Sequence, residues 1–197
     1  MFPFGNTCHT GKEDLRETNY KPNFTTDNMK KIALIYGSTT DNTKWIAERI
    51  AAKLSAYEVD LIDVARLKAE QLAQYYNLIL GTSTWGAGDI QNDWESFLPK
   101  LKDVNLSGKV VALFGLGDSY SYADTFVDGM AQLYEAVKDR GCTVVGAVSP
   151  DGYVHASSNA VVDGNFVGLP LDQDNESDRT DARIDGWLSE IESLFIG

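Results

Sequence analysis

Apolar residues arrive along this chain in short unbroken runs, separated by stretches where they recur every three or four positions. Ile32-Ala33-Leu34-Ile35 is the first such run, and its lack of alternation is the pattern of a strand buried on both faces. Behind it Trp45, Ile46, Ile50 and Leu54 recur at helical spacing. The same alternation carries on down the chain. It predicts strands over 31–36, 59–64, 77–81, 109–114 and 142–147, with helices over 43–56, 67–74, 93–101 and 124–139 between them. Gly141 stops the helix before the fifth strand. A last helix starts near residue 180, with Ile184, Trp187, Leu188, Ile191 and Leu194 on one face. Helices alternating with apolar strands predict a doubly wound α/β fold, a five-stranded parallel sheet with helices on both faces. In such open sheets ligands sit outside the carboxyl ends of the strands, near the point where strand order reverses.

Two segments break the alternation. Residues 1–29 are polar without period (Asn6, Thr7, Lys12, Glu13, Asp14, Asn19), which predicts a disordered extension, with the folded domain over 30–197. The extension has no apolar stretch of the secretory kind, and Glu13, Asp14 and Glu17 argue against an organelle transit peptide. After Pro150 comes a loop rich in Ser, Asn, Asp and Gly, through Gly164, before a second apolar piece, Phe166-Val167-Gly168-Leu169. Such a length interrupts or extends the fifth strand and suggests an interaction surface rather than a tight turn.

Composition narrows the function classes. At 197 residues, 43% of them hydrophobic, the chain supports one core. No run approaches the roughly 20 apolar residues that span a bilayer. The formal charge of −12, from 29 acidic against 17 basic residues, argues against nucleic acid as a partner and suits a basic protein surface. Cys8 and Cys142 are far apart and make neither a metal motif nor a disulfide framework. With His9 and His155 the only histidines, neither a zinc site nor a Ser/His/Asp triad is expected.

Candidate chemistry gathers in three loops that each follow a strand. Ser38, Thr39, Thr40, Asp41, Asn42 and Thr43 join the first strand to its helix. A helix N-terminus offers unpaired amides and a favourable dipole to an anion, and the hydroxyls add donors without charge, so a phosphate suits this loop. The same residue types also make an ordinary helix cap. Thr82, Ser83, Thr84, Trp85, Gly86 and Gly88 follow the third strand, where a Trp among small residues is placed to pack on something other than the core. Gly115, Leu116, Gly117 and Asp118, with Tyr122 beyond, follow the fourth. One phosphate-like loop and two aromatic ones together suit a flat aromatic ligand with a phosphate tail.

These residues resemble the three cofactor loops of a flavodoxin. The tail from Asp163 to Leu169, with Asp172, Asp174, Asn175, Ser177 and Asp178, is similar to the long-chain subfamily, whose fifth strand is split by a loop. Strand order 2-1-3-4-5 comes with that resemblance and not from the residues. It implies non-covalent flavin mononucleotide (FMN) and low-potential one-electron transfer between redox proteins, in a cytoplasmic monomer. Ferredoxin–NADP reductase-like enzymes and low-potential acceptors are the partners it implies. Carried over, residues 38–43 hold the phosphate, Trp85 and Tyr122 take opposite faces of the ring, and backbone groups around Gly86, Gly117 and Asp118 meet its polar edge. Asp172 is placed near the ribityl or phosphate side. The Gly86–Ala87 peptide is implied to turn its carbonyl toward the ring on reduction. One departure is Asp41, where the family usually has glycine, so that a carboxylate stands beside the phosphate. The competing readings are an FMN-dependent NAD(P)H or quinone reductase on the same fold, and a flavin-free signalling domain. The latter lacks an acidic residue at the end of the first strand.

Overall fold

An extended strand sends alternate side chains to opposite faces, so an unbroken apolar run needs a cover on each side. In the computed structural model, which describes residues 31–196, β1 (Lys31–Tyr36) divides in this way. Ile32 and Leu34 pack with Ile46 and Ile50 of α1 (Asn42–Lys53) and with Ile184, Trp187, Leu188 and Ile191 of α4 (Thr180–Ile191). Ala33 and Ile35 face the other way. They join Trp94, Phe97 and Leu101 of α2 (Asn92–Leu101) and Met130, Leu133 and Val137 of α3 (Asp128–Val137). Two buried clusters, one on each face of the sheet, are what hold the layers together, at about 25 cal/mol for each Å² of apolar surface removed from water.

The sheet is parallel at its centre. β2 (Glu58–Asp63) and β3 (Asn77–Trp85) flank β1, and β5 (Val110–Leu116) lies beyond β3. β6 (Thr143–Val145) completes the order β2-β1-β3-β5-β6, the expected 2-1-3-4-5 arrangement. Strand order reverses between β1 and β3, where Gly37 N donates to Gly81 O at 3.1 Å. The crevice at that switch point is where the three loops converge.

The fifth strand is split. Ala112 pairs with Val145, after which the chain leaves the sheet at Gly146 (φ 82°), whose carbonyl accepts from Trp187 Nε1 at 3.0 Å. An excursion over 147–168 carries the short hairpin of β7 (Val161–Val162) and β8 (Asn165–Phe166). β9 (Leu169–Leu171) then resumes the vacated edge, with Phe114 against Leu169 and Leu116 against Leu171. The return demands a glycine at 168, because a Cβ there would stand 2.3 Å from Leu113 O.

Several boundaries differ from those expected from periodicity. β3 continues to Trp85 because β4 (Asp89–Ile90) folds back on it, pairing Thr84 with Ile90 and Trp85 with Asp89. Thr82, Ser83 and Thr84 are therefore strand residues, and Gly115 and Leu116 belong to β5. The helix expected over 67–74 is a pair of 3₁₀ turns, Val64–Arg66 and Ala69–Gln74. The helix expected over 124–139 is interrupted: a 3₁₀ turn at Ala123–Thr125 ends at Phe126, and Val127 takes a left-handed conformation before α3 begins. α1 ends at Lys53 and β6 spans only three residues, both shorter than expected. The extension expected over 1–29 lies outside the described residues. Among the described residues no helix is long and apolar enough to cross a membrane.

Candidate functional site

A cleft of about 380 Å³ opens at the carboxyl ends of β1, β3 and β5. It is lined by Thr40 and Asn42 from the first loop, Ser83, Thr84, Trp85 and Gly86 from the second, and Leu116, Gly117, Asp118, Tyr122 and Thr125 from the third. Gln173 and Asp174, just past β9, close the remaining side. Among the described residues no basic side chain lines it, so the donors it offers an anion are amides and hydroxyls.

The first loop is shaped by backbone geometry. Asp41 sits at φ 64° as the residue before α1, and Trp45 N donates to its carbonyl at 2.8 Å. The first-turn amides of α1 have no acceptor within the helix, and among the described residues no side chain caps them. The capping role that competes for these residues is thus not taken up. Thr39, Thr40, Asp41 and Asn42 are exposed, Ser38 is half-buried, and Thr43 is buried on the inner side of the helix. Gly37 lets the loop cross closely over α2, since a Cβ there would lie 2.4 Å from Gln91 Oε1. Gln91 itself is buried and caps α2, accepting from Asp93 N at 3.0 Å and Trp94 N at 3.2 Å, while its Nε2 reaches Thr39 Oγ1 at 3.4 Å.

The second loop is the turn between β3 and β4. Gly88 N closes it by donating to Trp85 O at 3.1 Å, and Gly86 adopts φ 51°. Trp85 remains 40% exposed, with its Nε1 directed to Ser83 Oγ at 2.9 Å, so one edge is tethered while a face stays open to the cleft. Thr84 Oγ1 accepts from Gly129 N at 3.0 Å, tying the strand end to α3. Thr82 is fully buried beneath the cleft, Gly88 faces Asp128, and Gly115 packs against Met130. These three support the walls and do not line them.

The third loop is organised by Asp118. Its Oδ1 accepts from Ser121 N at 2.8 Å, Tyr120 N at 3.0 Å and Asn175 Nδ2 at 2.9 Å. The hydrogen bond from Ser121 N, above all, holds its carboxyl below the usual range. The turn it builds presents Tyr122, 52% exposed, at the cleft mouth, with Tyr120 beside it at 86%.

Asp172, expected near the ribityl or phosphate side, sits deeper than the lining residues. It is fully buried behind the cleft and does not line it. Its carboxylate accepts from Ser119 N (2.8 Å), Ser119 Oγ (2.6 Å), Asp174 N (3.0 Å) and Asn175 N (2.9 Å). Burial alone would raise its pKa, but the hydrogen bonds from Ser119 and Asn175 outweigh burial and hold it below the ordinary carboxylate value. Asp172 is a staple between the third loop and the segment after β9. Asp174 is shifted upward, by burial first and then by the charges of Asp118 and Asp172. The sequence reading missed Thr125, Gln173 and Asp174 in the lining and Gln91, Ser119 and Asn175 behind it, Asp174 and Asn175 having been named only as part of the tail. Of these only Gln91 carried a visible signal, standing just before a helical run in a capping position.

The fold and cleft together define a class: a doubly wound α/β protein with a switch-point site, hydroxyls and helix amides at one end and two exposed aromatics at the other. Comparison with known proteins specifies the family. The profile of the flavodoxin family matches residues 34–187. The chain is 44% identical over 166 residues to the flavodoxin of a Nostoc species, covering 84% of this chain and 98% of that one. It is 39% identical over 172 residues to flavodoxin 1 of Azotobacter vinelandii, covering 85% and 99%. The crystal structure of Fusobacterium nucleatum flavodoxin bound to flavin mononucleotide superposes with a TM-score of 0.81 at 33% identity, covering 84% of this chain and 99% of that one. The chain belongs to the flavodoxin family.

Proposed function

We infer that this protein is a low-potential one-electron carrier that binds FMN non-covalently and passes electrons between redox proteins. The observation that carries this reading is the pairing, in one cleft, of uncharged anion donors with two exposed aromatic side chains. The residues fit the cofactor. The uncapped first turn of α1 with Ser38, Thr39, Thr40, Asn42 and Thr43 offers amides and hydroxyls to a phosphate. Trp85 and Tyr122 offer π faces to a flat ring. The open backbone around Gly86, Gly117 and Asp118 offers hydrogen bonds to a polar ring edge. When bound, FMN supplies the one-electron chemistry, and the protein supplies orientation and electrostatics.

The side chains set the energetics. Asp118 and Asp174 line the cleft with no basic counterpart among the described residues, so added negative charge in it is opposed, which favours a low potential. Trp85 and Tyr122 exclude water from the faces they cover and strengthen that opposition. The Gly86–Ala87 peptide lies in the tight β3–β4 turn, where glycine at φ 51° lets the carbonyl direction change at low backbone cost.

The split fifth strand, with its excursion over 147–168, supports assignment to the long-chain subfamily. We place the protein in the cytoplasm as a monomer whose partners are ferredoxin–NADP reductase-like enzymes and low-potential acceptors. The formal charge of −12 steers basic surfaces toward the exposed aromatics in a weak, fast complex. Residues 1–29 are placed outside the FMN-binding domain, which begins near residue 30. The test is reconstitution with FMN followed by anaerobic potentiometry. One FMN per chain, two resolved one-electron steps and no NADPH oxidation until a reductase is added are expected. Steady NADPH oxidation by the protein alone would overturn the carrier reading in favour of a reductase.

A further inference from the structure

Val127 is a fully buried, β-branched residue at φ 53°, ψ 26°, in the left-handed region that such side chains avoid. It stands between the loop that carries Tyr122 and the start of α3. Strain of this kind persists only where surrounding contacts over-determine it, and here those contacts come from the excursion over 147–168. Ser158 Oγ donates to Phe126 O at 2.5 Å, one residue before the strained position. One residue after it, the buried Asp128 carboxylate accepts from Asn159 N and Asn159 Nδ2, both at 2.7 Å. Upstream, Ala123 O accepts from Ala156 N at 2.9 Å and Ser157 N at 3.1 Å, and Asp124 O accepts from Ser157 Oγ at 2.5 Å. Residues 156–159 therefore strap the segment after Tyr122 at four points, the carbonyls of Ala123, Asp124 and Phe126 and the carboxylate of Asp128.

The same corner holds the opposite wall of the cleft. Gly129 N donates to Thr84 Oγ1 at 3.0 Å, and Gln132 Nε2 donates to Gly88 O at 2.9 Å, so the first turns of α3 clasp both ends of the segment bearing Trp85. A Cβ on Gly88 would lie 3.1 Å from Asp128 Oδ2, so the carboxylate packs directly on that turn. Both aromatic walls are thus fastened to one strained corner. The first loop, with its phosphate donors, shares none of these bonds.

We propose that Asp128 and Asn159 are positioning residues for the ring end of the cleft. Through the corner at Val127 they set the spacing of the Trp85 and Tyr122 walls, so that the strap governs the grip on a flat ring and leaves the phosphate end unaffected. The inference rests on the FMN-carrier reading. The test compares FMN with riboflavin, which has the ring without the phosphate, on the full-length chain. Asn159→Ala weakens binding of both ligands by a similar factor, about tenfold, and shifts the separation between the two one-electron potentials. Ser158→Ala, which removes the hydroxyl's bonds to Phe126 O and, at 3.5 Å, to Asp128 Oδ1, moves both in the same direction by less and serves if Asn159→Ala does not fold. Variants that lose thermal stability yet keep both affinities and both potentials at wild-type values would overturn the positioning role. Weakening confined to FMN would overturn it too, because the strap would then act at the phosphate. Failure of the wild-type chain to bind either flavin would instead remove the FMN reading, and this inference with it.

Discussion

The hydroxyl end of the cleft is one continuous segment, residues 38–43, whereas the aromatic end is assembled from β3–β4, the loop after β5 and the segment after β9, with the excursion over 147–168 bracing them. The first end needs only a strand, a short loop and a helix whose first amides are uncapped. Its donors are backbone groups and hydroxyls, placed by local geometry. The second end depends on a staple at Asp172 and a strap onto Phe126 and Asp128, each linking residues more than 25 positions apart. On the FMN reading, the phosphate falls to local parts and the ring to long-range ones. The two halves of one ligand are therefore open to separate perturbation.

The strongest way to break the second end is at its staple. Asp172→Ala leaves the Ser119 and Asn175 donors unsatisfied in a buried setting, and we expect a loss of about 3 kcal/mol in stability, measured by urea denaturation. Binding of FMN and riboflavin should weaken together. Next in size, Trp85→Ala removes one wall without touching the braces. Both ligands should lose about tenfold in affinity by fluorescence titration, with stability nearly unchanged because Trp85 is 40% exposed.

A smaller effect with the opposite pattern is expected at the first end. Asp41 occupies a left-handed position at φ 64° and stands exposed beside the uncapped amides. Asp41→Gly removes a charge that opposes a phosphate and suits the backbone conformation, so FMN should bind about threefold tighter at low salt while riboflavin is unaffected. The gain should shrink as the ionic strength rises. Equal affinity for the two proteins at low and high salt would remove electrostatic repulsion as the explanation.

The smallest effect concerns pH. The Asp172 carboxyl titrates below its ordinary value, so its contribution to stability is present in full above about pH 4 and is lost as pH falls through the lower folded pKa. Asp118 has the same sign. Asp174, shifted upward, works the other way, and acidification relieves its cost. The flavin-free protein should lose stability below about pH 4, and Asp172→Asn should flatten that slope. An unchanged slope would assign the acid sensitivity to other carboxylates.

Much of this was legible before the structure. β1, its helix and the central strands follow from unbroken apolar runs and helical spacing, since burial on one face or two writes itself directly into residue order. The loop between β1 and α1 was legible for the same local reason. The interruption at Val127 was not, because Asp124 to Asp139 reads as a continuous helix by composition. The strap from residues 156–159 and the clasp onto Thr84 and Gly88 surround that left-handed valine, and neither is visible in residue order. Asp172 came to the cofactor side only with the family resemblance, since an acidic residue past a strand end carries no sign of whether it will face the cleft or accept hydrogen bonds from behind it.

Residue order by itself therefore determined the layered α/β class, the strand ends that carry the loops and the donor chemistry of the first loop. These depend on periodicity and on helix termini, which are properties of neighbours in the chain. The tertiary structure alone decided where the fifth strand divides, which carboxylates line the cleft, and what holds Trp85 and Tyr122 apart. Those outcomes depend on hydrogen bonds and close approaches between remote segments, such as Gly168 against Leu113 and Asn159 on Asp128. Such pairings form only once the sheet has brought its loops to a common edge.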